Sequence, residues 1–193
     1  MPLNHIIINL KRDLIRTFAV VDEWFDKELA IRSYRSSTAS WSINEVLEHI
    51  MLSNHYLLIL IEKGTKKALK ASEDKAILWP EQYSLSDPAL HQIADPDAFA
   101  WHRPDHHAPT GSKTMWEIRR EIRDQLHRCL IILEVVPNGE GTLHRTAMSV
   151  NNLGRLDVYQ YVYFLSLHAQ RHLKQMQKIE SLTMIHHDLN RLP

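Results

Sequence analysis

The chain has 193 residues, with Lys plus Arg and Asp plus Glu both at 23. That length suits one well-buried domain spanning residues 1–193. The even charge, spread along the chain, argues against nucleic acid and against a polybasic membrane anchor as partners. One cysteine, Cys129, rules out an internal disulfide and suits a reducing cytosol. No apolar run reaches the ~18–20 residues of a membrane span. The start, "MPLNHIIINLKRDLIRTF", lacks the pattern of a secretory leader, so a cytoplasmic protein is expected.

Four amphipathic segments follow in order. The first runs from about Leu3 to Leu29, with Leu3, Ile7, Leu10, Leu14, Val21, Phe25 and Leu29 on one helical stripe. The second opens at "WSINEVLEHIMLSN". Ser42 and Glu45 form a capping box there, and Trp41 and Val46 occupy staple positions. Its stripe continues through Ile50, Leu57 and Ile61, and Gly64 is expected to end it. The third starts near Thr114, with Glu117 three residues on. Its stripe is Met115, Ile118, Ile122, Leu126, Cys129 and Leu133, and "VPNG" stops it. Cys129 therefore reads as a small core residue rather than a nucleophile.

The fourth segment is "DVYQYVYFLSLHAQRHLKQMQKIE", capped by Asp157 and Gln160. Its stripe is Val158, Tyr161, Leu165, His168, His172, Met176 and Ile179, so two histidines stand where the pattern asks for Leu or Ile. Between segments two and three lie Thr65 to Lys113, which hold five of the eight prolines and show no sustained period. Connections longer than ~15 residues are uncommon in compact domains and are often functional. A short helix is expected near Ser86–Ile93. With no convincing strand and only five glycines, the pattern predicts an all-α, up-down four-helix bundle with a long connection between helices two and three. Whether that connection carries helix three across the bundle end is open at this stage.

Residues four apart on a helix share a face, with Cβ atoms ~5–6 Å apart. His168 and His172 can therefore reach one metal ion, and a third ligand must come from another helix. His49 is the one histidine on the inward stripe of helix two. An unpartnered buried imidazole costs ~1–3 kcal/mol, and a divalent cation shared by three would remove that liability. The competing explanation is coincidence in a chain with 13 histidines. Glu45 lies one turn before His49 and is a candidate for orienting that ring, although its cap role explains it equally. Neither HExxH nor G-x-S-x-G occurs.

"WSINEVLEHI" followed by "HAQRHLKQMQKI" resembles the DinB-like superfamily, including its YfiT-type metal-dependent hydrolases. In that family a Trp-led helix carries a histidine about eight residues on, and the last helix carries H-x-x-x-H followed by Gln. Trp41, His49, His168, His172 and Gln175 occupy those positions. The resemblance implies a four-helix bundle, a nickel or zinc ion on His49, His168 and His172, and a homodimer. It also implies a small-molecule substrate. Hydrolysis is the leading reading; thiol-dependent S-transfer, known in the family alongside maleylpyruvate isomerisation, is the second. A non-enzymatic metal-binding bundle in a stress response is the third. This chain departs from the pattern in its long connection, which holds His91, His102, His106 and His107. Each reads as part of an exposed polar loop, with a further ligand from "WHRPDHH" as the alternative.

Overall fold

The computed structural model describes residues 3–74, 83, 85, 87–101 and 105–189. Four long helices carry the fold: α1 (Leu3–Glu23), α3 (Ile43–Asp74), α5 (Met115–Val135) and α6 (Val158–Leu189). Two short ones, α2 (Leu29–Ser33) and α4 (Pro88–His91), sit in the connections. The expected stripes form the core. Leu10, Leu14, Val46, Ile50, Ile61, Ile118, Cys129, Leu133, Tyr161 and Leu165 are all buried. Burial of this kind stabilises by ~1.5–3 kcal/mol per large side chain.

Hydrogen bonds and ion pairs between helices fix their directions. Lys11 meets Glu134 and Asp22 meets Arg119, so α1 and α5 run antiparallel. Thr17 meets Ser166 and Lys27 meets Glu180, so α1 and α6 run parallel. Gln125 donates to the Met51 carbonyl and Arg128 pairs with Glu62, which makes α3 and α5 parallel. The His49 ring lies against His168 and His172, while Gly64 lies against Val158, so α3 and α6 are antiparallel. The long helices thus run up, down, down, up. This corrects the simple alternation expected. It also explains the length of the connection, which must return along the bundle before α5 can start beside the beginning of α3.

Several local expectations also change. The first helix stops at Glu23, followed by a 3₁₀ turn over Trp24–Asp26 and extended backbone at Lys27. That turn brings Asp26 beside Asp22, and the Arg119 guanidinium pairs with both. Leu29 is exposed rather than on the stripe. Gly64 does not end α3. Thr65 and Ala68 are buried beyond it, and their packing outweighs the ~1 kcal/mol helix penalty of glycine. The capping boxes at Ser42–Glu45, Thr114–Glu117 and Asp157–Gln160 form as expected. The short helix of the connection starts at Pro88, capped by Asp87, and Ser86 lies outside the described residues.

An antiparallel hairpin was not anticipated. β1 (Arg145–Met148) pairs with β2 (Gly154–Asp157), Arg145 opposite Asp157 and Met148 opposite Gly154. Its turn uses positive φ at Asn151 (47°), Asn152 (54°) and Gly154 (71°). Asparagine tolerates this left-handed region, so a scarcity of glycine did not forbid the turn. The hairpin is seated by Tyr161, whose hydroxyl donates to the Ala147 carbonyl.

Candidate metal centre

The site forms where the second turn of α3, which bears His49, faces the middle of the antiparallel α6, which bears His168 and His172. His49, His168 and His172 are all buried, and one ring nitrogen from each lies within 4.8 Å of the others. The Nε2 atoms of His168 and His172 are 3.1 Å apart. The ring centroids of His49 lie 5.3 Å from His168 and 4.7 Å from His172. The i, i+4 spacing on α6 and the inward stripe of α3 thus bring together the three histidines singled out from sequence.

The partners behind the rings set their tautomers. His49 Nδ1–H donates to the His107 backbone carbonyl at 2.7 Å, and His172 Nδ1–H donates to Gln175 Oε1 at 2.8 Å. Both acceptors lack a proton to give, so each Nδ1 carries the hydrogen and each Nε2 keeps its lone pair. His168 Nδ1 is buried and has no hydrogen-bond partner among the described residues. Burial, with the neighbouring rings adding to it, drives the His168 pKa far down and lowers that of His172 to about 3. His168 and His172 are therefore neutral near pH 7, and with the His49 Nδ1–H turned to a carbonyl the cluster presents more lone pairs than protons to one shared point. Metal–nitrogen bonds of about 2.0–2.1 Å require neutral imidazoles gathered in this way. The donor set therefore fits a divalent cation.

The connection supplies one wall. Glu48, buried next to His49, accepts from the backbone N–H groups of Thr110 and Gly111 and from the Thr110 hydroxyl. Tyr56 stacks on His107 with centroids 5.0 Å apart. Together they fix the loop whose carbonyl holds His49. His107 is half-buried and lines the cavity, which corrects the reading of it as exposed loop. Its pKa falls to about 4 through desolvation and the nearby His106 and His49 rings. His91 and His106 are exposed as expected, and His102 lies outside the described residues. Glu45 is engaged at the cap: its carboxylate accepts from the Ser42 N–H and hydroxyl and pairs with Arg35.

A cavity of about 330 Å³ opens beside the three rings. Its lining adds Trp41, Leu57, Leu60, Trp101, Met148, Val150, Tyr161, Phe164, Ser53, Ser149, His107 and Arg171, with Ala147 from β1. No Asp or Glu is among these described residues. Arg171, placed between the two α6 histidines, donates to the carbonyls of Asp95, Pro96 and Phe99. Sequence reasoning missed the roles of Glu48, Trp101 and His107, because they depend on how the connection returns. Cys129 is buried away from this cavity, with its thiol pushed up to about 12 by desolvation, and it offers no nucleophile.

Fold and site together define a helical bundle that gathers three buried histidines beside a small, largely apolar cavity. The sequence model of the DinB superfamily matches residues 10–176, and the chain belongs to that superfamily. Neither a curated protein nor a solved structure matches the chain significantly. No helix among the described residues is long and apolar enough to cross a membrane.

Proposed function

We propose that the chain is a metal-dependent enzyme of hydrolase type, with His49, His168 and His172 holding a divalent nickel or zinc ion. Imidazole ligands suit both metals. The observation that carries the reading is the pair of acceptors behind His49 and His172, which turn Nε2 lone pairs toward one point. An ion held by three protein ligands keeps an open position and supplies Lewis-acid chemistry, lowering the pKa of a bound water or thiol or polarising a carbonyl. The protein's own part is to hold the rings neutral, to keep bulk water off them with Trp41, Trp101 and Phe164, and to offer space for a small molecule. The cavity is of the size that small-ligand sites usually have.

A second reading, transfer of a low-molecular-weight thiol, is favoured by the charge of the lining. Among the described lining residues Arg171 is the one always-charged side chain, and none is a carboxylate that would repel a thiolate. The test is one preparation of metal-reconstituted protein assayed against an ester panel and against thiol conjugation to an electrophile. Ester turnover that disappears in His172→Ala supports the hydrolase. Conjugation alone, lost in the same variant, supports the transferase. Absence of both with full metal occupancy would leave a metal-binding bundle without chemistry.

A further inference from the structure

We infer that the cavity selects a small molecule with a flat apolar body and an anionic end, and that Trp101, positioned by Arg171, is the wall that reads the flat body. The second part concerns how this chain uses its long connection; the anionic preference rests on the metal-centre reading above.

Aromatic surface dominates the walls. The Trp101 ring lies 5.4 Å from the His168 ring and 6.0 Å from Phe164, centroid to centroid. Trp41 lies 4.9 Å from His49 on the other side. Leu57, Met148 and Val150 complete an apolar surround. Such a surface favours a planar hydrocarbon group, through area removed from water and offset or edge-on ring contacts.

Charge decides the other end of the ligand. Imidazoles carry no charge when they ligate a metal, so a divalent ion held by the three histidines would keep its full charge; Arg171 adds a cation at the cavity wall, and no carboxylate lines the described surface. An ammonium would meet only like charge there, whereas a carboxylate or thiolate would meet opposite charge.

Trp101 has its place because of Arg171. The guanidinium lies over the Phe99 ring and over the Trp101 ring, each at 5.2 Å, and Phe99 stacks on Trp101 at 5.4 Å. The same guanidinium donates to three carbonyls of the segment that leads to Trp101. It thus ties residues 95–101 to the turn of α6 that bears His168 and His172. Arg171 acts through Trp101 and is a positioning residue.

The test measures binding by quenching of tryptophan fluorescence, with calorimetry as the second readout. The probes are 1-naphthoate, acetate and 1-naphthylmethylammonium, on metal-free and zinc-loaded protein. On metal-free protein 1-naphthoate should bind at least about tenfold more tightly than acetate, because the walls alone supply that preference. Zinc loading should strengthen 1-naphthoate and not the ammonium probe. Trp101→Ala and Arg171→Met should each weaken 1-naphthoate by roughly tenfold while zinc stoichiometry stays unchanged. Equal binding of acetate and 1-naphthoate on metal-free protein, or no effect of either substitution, would overturn the role of the walls. A preference of zinc-loaded protein for the ammonium probe would overturn the anionic end. Failure to take up zinc would instead overturn the metal-centre reading, and the metal-free comparison would still judge the cavity.

Discussion

The backbone carbonyl of His107 accepts the Nδ1 proton of His49 across 2.7 Å, joining residues 58 apart in sequence. A helix of the bundle supplies the ring, and the returning connection fixes which of its nitrogens faces the cavity. Orientation by an acceptor behind the ring commonly accounts for a 10- to 100-fold share of metal affinity.

Glu48 holds that connection in place, so its loss should act at a distance. Glu48→Ala removes the acceptor for two backbone N–H groups and one hydroxyl. The expected cost is about 2 kcal/mol of stability, measured by urea unfolding, together with weaker metal binding. A variant of wild-type stability and affinity would show that the Thr110–Gly111 anchor does not transmit to His49.

Gln175 offers a cleaner separation of orientation from ligation. Its Oε1 fixes the His172 tautomer, and the residue is only half-buried. Gln175→Ala should reduce metal affinity by about ten- to a hundredfold with little change in melting temperature. Competition with a chelator of known affinity is the measurement, and unchanged affinity would mean that His172 needs no support.

Acid should destabilise the metal-free protein. The pKa values of buried His168 and His172 are lowered, that of His172 to about 3, mainly by desolvation. In the unfolded chain both titrate near 6.5. Below that pH the unfolded state binds more protons, so stability is lost as pH falls from about 6.5 towards 3. At pH 5 the loss is about 2 kcal/mol for His172, and His168 adds to it in the same direction. Urea midpoints at pH 7 and pH 5 measure it. A His168→Leu, His172→Leu double variant should show a much flatter dependence, and an equally steep one would assign the acid sensitivity elsewhere.

Gly141 tests the packing at the end of the bundle. A Cβ built there would lie 2.8 Å from the Tyr159 ring, which is fully buried and donates its hydroxyl proton to the Val136 carbonyl. The ring has nowhere to move. Gly141→Ala should cost about 1–3 kcal/mol, read as a lower urea midpoint, with metal binding intact. A neutral effect would mean that this contact relaxes freely.

Much of the helical frame was legible because burial follows helical period. Ile118, Ile122, Cys129 and Leu133 are buried at the spacing their sequence shows, and His49, His168 and His172 meet because they hold core positions. Helix ends were less legible. Tertiary contacts override local signals there: α3 passes through Gly64, and α1 stops at Glu23, where the turn lets Asp22 and Asp26 share Arg119. The direction of α5 and the second layer of the site were not legible at all. Trp101, His107 and Glu48 acquire their roles only when an aperiodic connection folds back along α3, and no local spacing encodes that path.

The most direct test of the central claim is elemental analysis of protein purified without a histidine tag, beside His49→Ala, His168→Ala and His172→Ala. The account predicts close to one divalent metal ion per chain in the parent and almost none in each variant that remains folded by circular dichroism. A parent without bound metal after reconstitution, or folded variants that keep full stoichiometry, would contradict it.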